Sequence, residues 1–177
     1  HIGKQVPDFS LPDINGNNRA LDEFKGKYIV LEWTNPECPF TKKQYSTHNM
    51  QNLQSKYTQK GVAWLVICSS APHKQGNHTK EEWKDIIQKE GINATCVLID
   101  DTGTIGKLYD AKTTPQMFIV NPQGFLVYQG AIDNMPGVDP EEIKMAKNYV
   151  QEALDEALQG KPITIKETTP YGCSVKY

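Results

Sequence analysis

Arginine is almost missing from this sequence: Arg19 is the only one among 19 basic residues, which 21 acidic ones balance to a net charge of −2. That balance carries no basic footprint, so nucleic acid is not an expected partner. No apolar run approaches the roughly 18 residues that span a bilayer, so membrane insertion is not expected. Cysteine is scarce too, with four residues and no Cys-x-x-Cys pair, too few for a disulfide scaffold in 177 residues. The four histidines, His1, His48, His73 and His78, share no ligand spacing with a cysteine. No metal and no cofactor is therefore expected. The chain opens on His1 rather than methionine, which fits removal of a signal peptide or a boundary of the expressed segment. Export to a periplasm-like compartment and a cytoplasmic location both stay open.

What is present is an ordinary globular composition, 38% hydrophobic and 23% charged, in a chain long enough for one sizeable core. Five short runs rich in β-branched and aromatic residues read as strands: 28–33, 62–68, 96–99, 117–120 and 125–128. The first three are nearly continuous apolar runs, as in strands buried on both faces. The last two flank Asn121-Pro122-Gln123-Gly124, a turn signal that makes them a hairpin. Between the runs the spacing predicts a helix over 39–60, with Pro39 at its first position and Gly61 at its stop. A second begins at Thr79, boxed by Glu82, and ends before Gly91; a short one covers 104–109. The last is expected from just after Pro140 to Gly160, with Ile143, Ala146, Tyr149, Val150, Ala153, Leu154, Ala157 and Leu158 on one face. This alternation implies an α/β fold whose mixed central sheet is flanked by helices, preceded by an N-terminal hairpin around Asn15-Gly16-Asn17. Residues 1–160 form the domain, and 161–177, without helical period, form an extended C-terminal tail.

The stretch Pro36-Glu37-Cys38-Pro39 stands between the first core strand and the helix that follows. A cysteine there meets the backbone N–H groups and positive dipole end of a helix N-terminus, which favour thiolate over thiol. Lys42 and Lys43 are expected to add positive charge, against Glu37, so a lowered thiol pKa is expected. Cys68 and Cys96, at the ends of apolar runs, read instead as buried packing residues.

Trp33, the Cys38-Pro39-Phe40-Thr41 motif, the long helix and the Thr114-Pro115 pair before a strand together resemble the thioredoxin-like fold. More narrowly, GKQVPDFSLPDINGN, FKGKYIVLEW and TTPQMFIVNPQGFLVYQGAID are similar to the redoxin or AhpC/TSA group, nearest its peroxiredoxin-like members with a single active cysteine. The resemblance implies thiol-disulfide oxidoreductase or redox-sensing chemistry with Cys38 as nucleophile, aligned with the first cysteine of the usual Cys-x-x-Cys and with Thr41 at the second. It implies a cis Pro115 beside the cysteine and a Thr41 that hydrogen-bonds the sulfur. The expected partners are protein thiols and disulfides or a small thiol reductant. Two departures weigh against peroxidase chemistry, the nearest alternative. Peroxiredoxins carry a Thr or Ser where this chain has Asn35, and an arginine downstream of the cysteine, whereas Arg19 lies upstream. A non-enzymatic binding or metal-handling module of the same fold is the alternative from another class.

With no second cysteine in the motif, Cys38 works through mixed disulfides with a substrate or glutathione, or is resolved by a cysteine elsewhere in the chain. Tyr171-Gly172-Cys173 lies in a tail long enough to reach the site, and Cys173 is the candidate, the alternative being an unpaired surface thiol on a frayed tail.

Overall fold

The computed structural model describes all 177 residues. Its centre is a five-stranded mixed sheet of order β5-β4-β3-β7-β8, built from β3 (Ile29–Trp33), β4 (Ala63–Cys68), β5 (Cys96–Ile99), β7 (Gln116–Val120) and β8 (Leu126–Gly130). β3, β4 and β5 run parallel, and β7 and β8 return antiparallel as the closing hairpin. This is the thioredoxin-like arrangement expected from the sequence. β1 (Ser10–Pro12) and β2 (Asn18–Ala20) form the N-terminal hairpin, which touches the β5 edge through the Asp13–Leu98 bridge.

All residues of β3, β4 and β7 are buried, as strands covered on both faces must be. Their alternate side chains feed two cores. Val30, Trp64 and Val66 pack with Met50, Tyr57, Val150 and Leu154 on one side. Leu31, Trp33, Leu65 and Ile67 pack with Phe9, Phe24 and Phe118 on the other. Glu32 breaks the apolar run inside the first core, where Tyr45 Oη, Gln54 Nε2 and Trp64 Nε1 donate to its carboxyl at 2.6, 3.1 and 2.9 Å. Burial raises its pKa against those three hydrogen bonds.

Two helices differ from the expectation. The single helix over 39–60 is two: α1 (Pro39–Ser46) and α2 (Asn49–Thr58), broken at Thr47 and His48, where His48 takes a left-handed φ of 62°. Thr47 Oγ1 donates to the Lys43 carbonyl at 2.8 Å and Gln51 Nε2 to the Tyr45 carbonyl at 2.8 Å, so side chains take over acceptors that a continuous helix would use. The last helix, α5 (Tyr149–Leu158), starts nine residues beyond Pro140. Residues Pro140–Lys144 form a 3₁₀ turn without buried side chains. The intervening chain is pulled aside, because Asn134 bonds both the N–H and the carbonyl of Lys147. Asn148 then caps α5 at the Gln151 N–H, 2.9 Å.

The other two helices hold their expected places. α3 (Lys80–Glu90) has the Thr79–Glu82 capping box and the left-handed Gly91 stop, and α4 (Thr104–Leu108) is one turn. No helix is long and apolar enough to cross a membrane. Beyond α5 the chain is extended. It pairs with Gln129 on β8 through Lys166 and Thr168, then runs on past the same end of the sheet, where β7 begins. There β9 (Cys173–Ser174) pairs antiparallel with β6 (Thr113–Thr114).

Candidate active site

β3 delivers the chain to the site. After Trp33, the Thr34 N–H donates to the Ile67 carbonyl at 2.9 Å, extending the sheet by one residue. Asn35 then makes a turn: its Oδ1 accepts from the Glu37 N–H at 3.0 Å and its Nδ2 donates to Gln75 Oε1 at 2.9 Å. Cys38 follows as N-cap of α1, with extended backbone and Pro39 at the first helical position. The cysteine is 0% exposed.

Cys38 Sγ donates to the Thr114 carbonyl at 3.2 Å, and the Thr114–Pro115 peptide bond beside it is cis. Across the β6–β9 pair, Cys173 lies in register with Thr114. The two cysteine side chains influence each other's titration from neighbouring positions. Burial by itself pushes the Cys38 thiol up. Hydrogen bonds from the Cys173 thiol, from Thr114 and from the Thr41 and Cys173 backbones outweigh it, and the net pKa is lowered. Cys173 moves the opposite way, to about 11, through burial and the neighbouring Cys38 sulfur. Of the two thiols Cys38 loses its proton first, and Cys173 keeps its own as a donor to the thiolate.

The expected site residues thus stand as follows. Cys38, Pro115 and Cys173 meet at one corner. Thr41 reaches the sulfur through its backbone N–H, whereas its hydroxyl is buried without a partner and lines a small hollow with Tyr45 and Trp83. The Thr114 hydroxyl, also buried, has no partner while Cys38 is protonated and is placed to donate once it is not. Lys43 does not serve the thiolate, contrary to expectation. It is fully buried, and its ammonium donates to the Met135 and Gly137 carbonyls at 2.7 and 2.9 Å and pairs with Glu142 at 2.8 Å. Arg19 is also elsewhere, paired with Glu23 and Asp13 on the hairpin near Cys96. Burial raises the pKa of Cys68, and raises that of Cys96 to about 11.

Sequence reasoning missed Tyr171, whose ring meets Phe40 edge-on, lies under Lys43 at 5.7 Å and hydrogen-bonds Asp133 through its hydroxyl. The one legible signal was its neighbourhood, an aromatic residue directly before Gly172-Cys173.

A family model, AhpC/TSA family, matches residues 2–129, well over half of the chain. The chain belongs to the AhpC/TSA family. Within this AhpC/TSA setting, it is 27% identical over 128 residues to the thiol-disulfide oxidoreductase ResA of Bacillus thuringiensis, covering 72% of this chain and 68% of ResA. An uncharacterized conserved protein from Geobacillus kaustophilus is 30% identical and superimposes with a TM-score of 0.83, over 100% of this chain and 92% of that one. A hypothetical protein from Sinorhizobium meliloti gives the same TM-score at 24% identity, over 100% and 94%. The family match stops at residue 129, so Cys173 lies outside it, while the fold likeness to these two structures takes in the whole chain.

Proposed function

We propose that the protein is a thiol-disulfide oxidoreductase in which Cys38 is the nucleophile and Cys173 resolves it. The observation that carries this reading is the register of Cys173 with Thr114, whose carbonyl accepts from Cys38 Sγ, with the Cys38 pKa lowered and that of Cys173 raised to about 11. The likeness to thiol-disulfide oxidoreductase ResA supports the reaction class.

The Cys38 thiolate attacks one sulfur of a substrate disulfide, forming a mixed disulfide and releasing the first substrate thiolate, which takes a proton from water. The Cys173 thiol then loses its proton and attacks Cys38 Sγ, forming Cys38–Cys173 and releasing the second thiolate. The substrate disulfide gains two electrons and the cysteine pair loses two. A dithiol protein or a small thiol reductant returns the pair to the thiol state. Pro115 and the Thr114 carbonyl shape the wall that the incoming disulfide meets. Peroxide reduction is the weaker reading, because Asn35 is engaged in its turn and Arg19 in its hairpin.

The test is a diamide-treated sample digested without reduction. The expected product is a peptide joining Cys38 to Cys173, and Cys173→Ala accumulates the mixed disulfide with a model disulfide peptide. If that peptide is absent, and Cys173→Ala turns over like the parent, Cys173 does not resolve Cys38.

A further inference from the structure

Residues 171–177 cover Cys38 as a ligand would cover it, by strand addition to an edge. β6 is only two residues long and, apart from β9, has no strand partner. Cys173 and Ser174 pair with Thr114 and Thr113, the Val175 N–H donates to the Lys112 carbonyl at 3.0 Å, and the Ala71 N–H donates to the Lys176 carbonyl at 2.7 Å. Gly172, at φ +146°, runs so close that a Cβ there would stand 2.2 Å from the Thr114 carbonyl oxygen.

The segment ends in a built slot. The Tyr177 ring lies against Gly103 and Gly106, where an added Cβ would stand 2.7 and 2.8 Å from it. Its hydroxyl donates to the Ala111 carbonyl at 2.6 Å, Lys107 sits over the ring at 5.3 Å, and Lys74 donates to the Tyr177 carbonyl at 2.6 Å. Two glycines and a carbonyl aimed at a phenol hydroxyl make a recognition pocket for an aromatic side chain. The body holds this segment by few apolar anchors. Val175 is the one buried hydrophobic side chain among the seven residues, so the contact is open to exchange with another strand.

We propose that this groove is the substrate site, that its ligand is an extended polypeptide with a small residue before its cysteine and an aromatic residue four positions after it, and that segment 171–177 is a tethered occupant. Until the mixed disulfide has formed, the ligand's cysteine takes the place of Cys173 opposite Thr114, its backbone adds to β6, and its aromatic side chain fills the Gly103–Gly106 slot. The ligand backbone then leaves β6, and the returning tail brings Cys173 back to Cys38 Sγ. This deepens the exchange reading and rests on it for the chemistry, though not for the binding.

The test uses non-covalent binding, so its failure is separate from failure of the exchange reading. The probe is a fluorescein-labelled, amidated peptide, Tyr-Gly-Ser-Ser-Val-Lys-Tyr, with serine in place of the cysteine, read by anisotropy on the full chain. Gly172→Val drives the chain's own β9 off Thr114 without touching the sheet. It is expected to bind the probe at least tenfold tighter than the parent does, and to lose at least tenfold when the last tyrosine of the probe is alanine. Equal binding by parent and variant, or equal binding of the two probes, overturns the proposal. If circular dichroism shows Gly172→Val to be unfolded, Tyr177→Ala takes its place, because it vacates only the slot. At least threefold tighter binding than the parent supports the proposal, and no gain overturns it.

Discussion

Cys38 and Cys68 stand near the ends of neighbouring strands, both buried, one carried past β3 into a helix and one closing β4. Their thiols move in opposite directions. Cys68 donates to Ser70 Oγ at 3.5 Å and to the Gly76 carbonyl at 3.4 Å, and burial still prevails. At Cys38 the backbone N–H of Thr41 one turn up the helix, the Thr114 hydroxyl and the Cys173 thiol are all donors available to an anion. Hydrogen bonds favour the thiolate at both sulfurs, and the contrast lies in the balance. At Cys68 burial outweighs the bonds from Ser70, and at Cys38 the larger set of donors outweighs burial.

The sharpest way to break this comparison is to exchange the thiols one at a time. Cys38→Ser is expected to lower the rate of disulfide reduction, with a dithiol as donor, by at least about a hundredfold. Cys68→Ala should leave that rate within about twofold and cost about 1–2 kcal/mol of stability in urea unfolding. A second effect of similar size lies in the fold. Oxidation to Cys38–Cys173 closes a loop of well over a hundred residues and should add up to about 5 kcal/mol, less any strain. Urea unfolding of oxidised against reduced protein measures it, and Cys173→Ala should abolish the difference.

Titration sharpens the comparison further. The thiolate is the reactive form, so a lowered pKa means that Cys38 alkylates at a lower pH than an unperturbed thiol of about 8.5, and Cys68 at a higher one. Iodoacetamide labelling against pH, resolved by peptide mass, should order them in that way, with Cys173 near pH 11. Removing the donor in Cys173→Ala should move the Cys38 midpoint upward. The smallest expected effect is Thr114→Val, which deletes one hydroxyl donor and keeps the carbonyl. It should raise the Cys38 midpoint by less than Cys173→Ala does, in the same labelling experiment.

Much of this architecture was legible in the sequence, because strand runs such as 28–33 and 62–68 and the Thr79–Glu82 box carry their signals locally. The breaks at Thr47–His48 and at 145–148 were not. They arise when side chains such as Thr47 and Asn134 capture backbone groups that periodicity assigns to a helix. Cys38 and the Thr114-Pro115 pair could be read from their flanking residues. The roles of Lys43, Tyr171 and Tyr177 could not, because each is set by contacts from 38 to 99 residues away in the chain: Met135, Gly137 and Glu142 for Lys43, Asp133 for Tyr171, Gly106 and Ala111 for Tyr177. Lys43 is expected from the motif to add charge beside Cys38, and its side chain turns instead to Met135, Gly137 and Glu142.

The complete covering of Cys38 sets the form of its kinetics. A nucleophile with no exposed surface reacts only in molecules whose cover has lifted, so reagents in solution compete with reclosure rather than with one another. At low reagent concentration the observed rate rises in proportion to concentration, scaled down by the open fraction. At high concentration it levels off at the opening rate, and that plateau is the same for an alkylating agent and for a disulfide. The plateau for Cys38 modification therefore reads the opening of its cover and not the reactivity of sulfur.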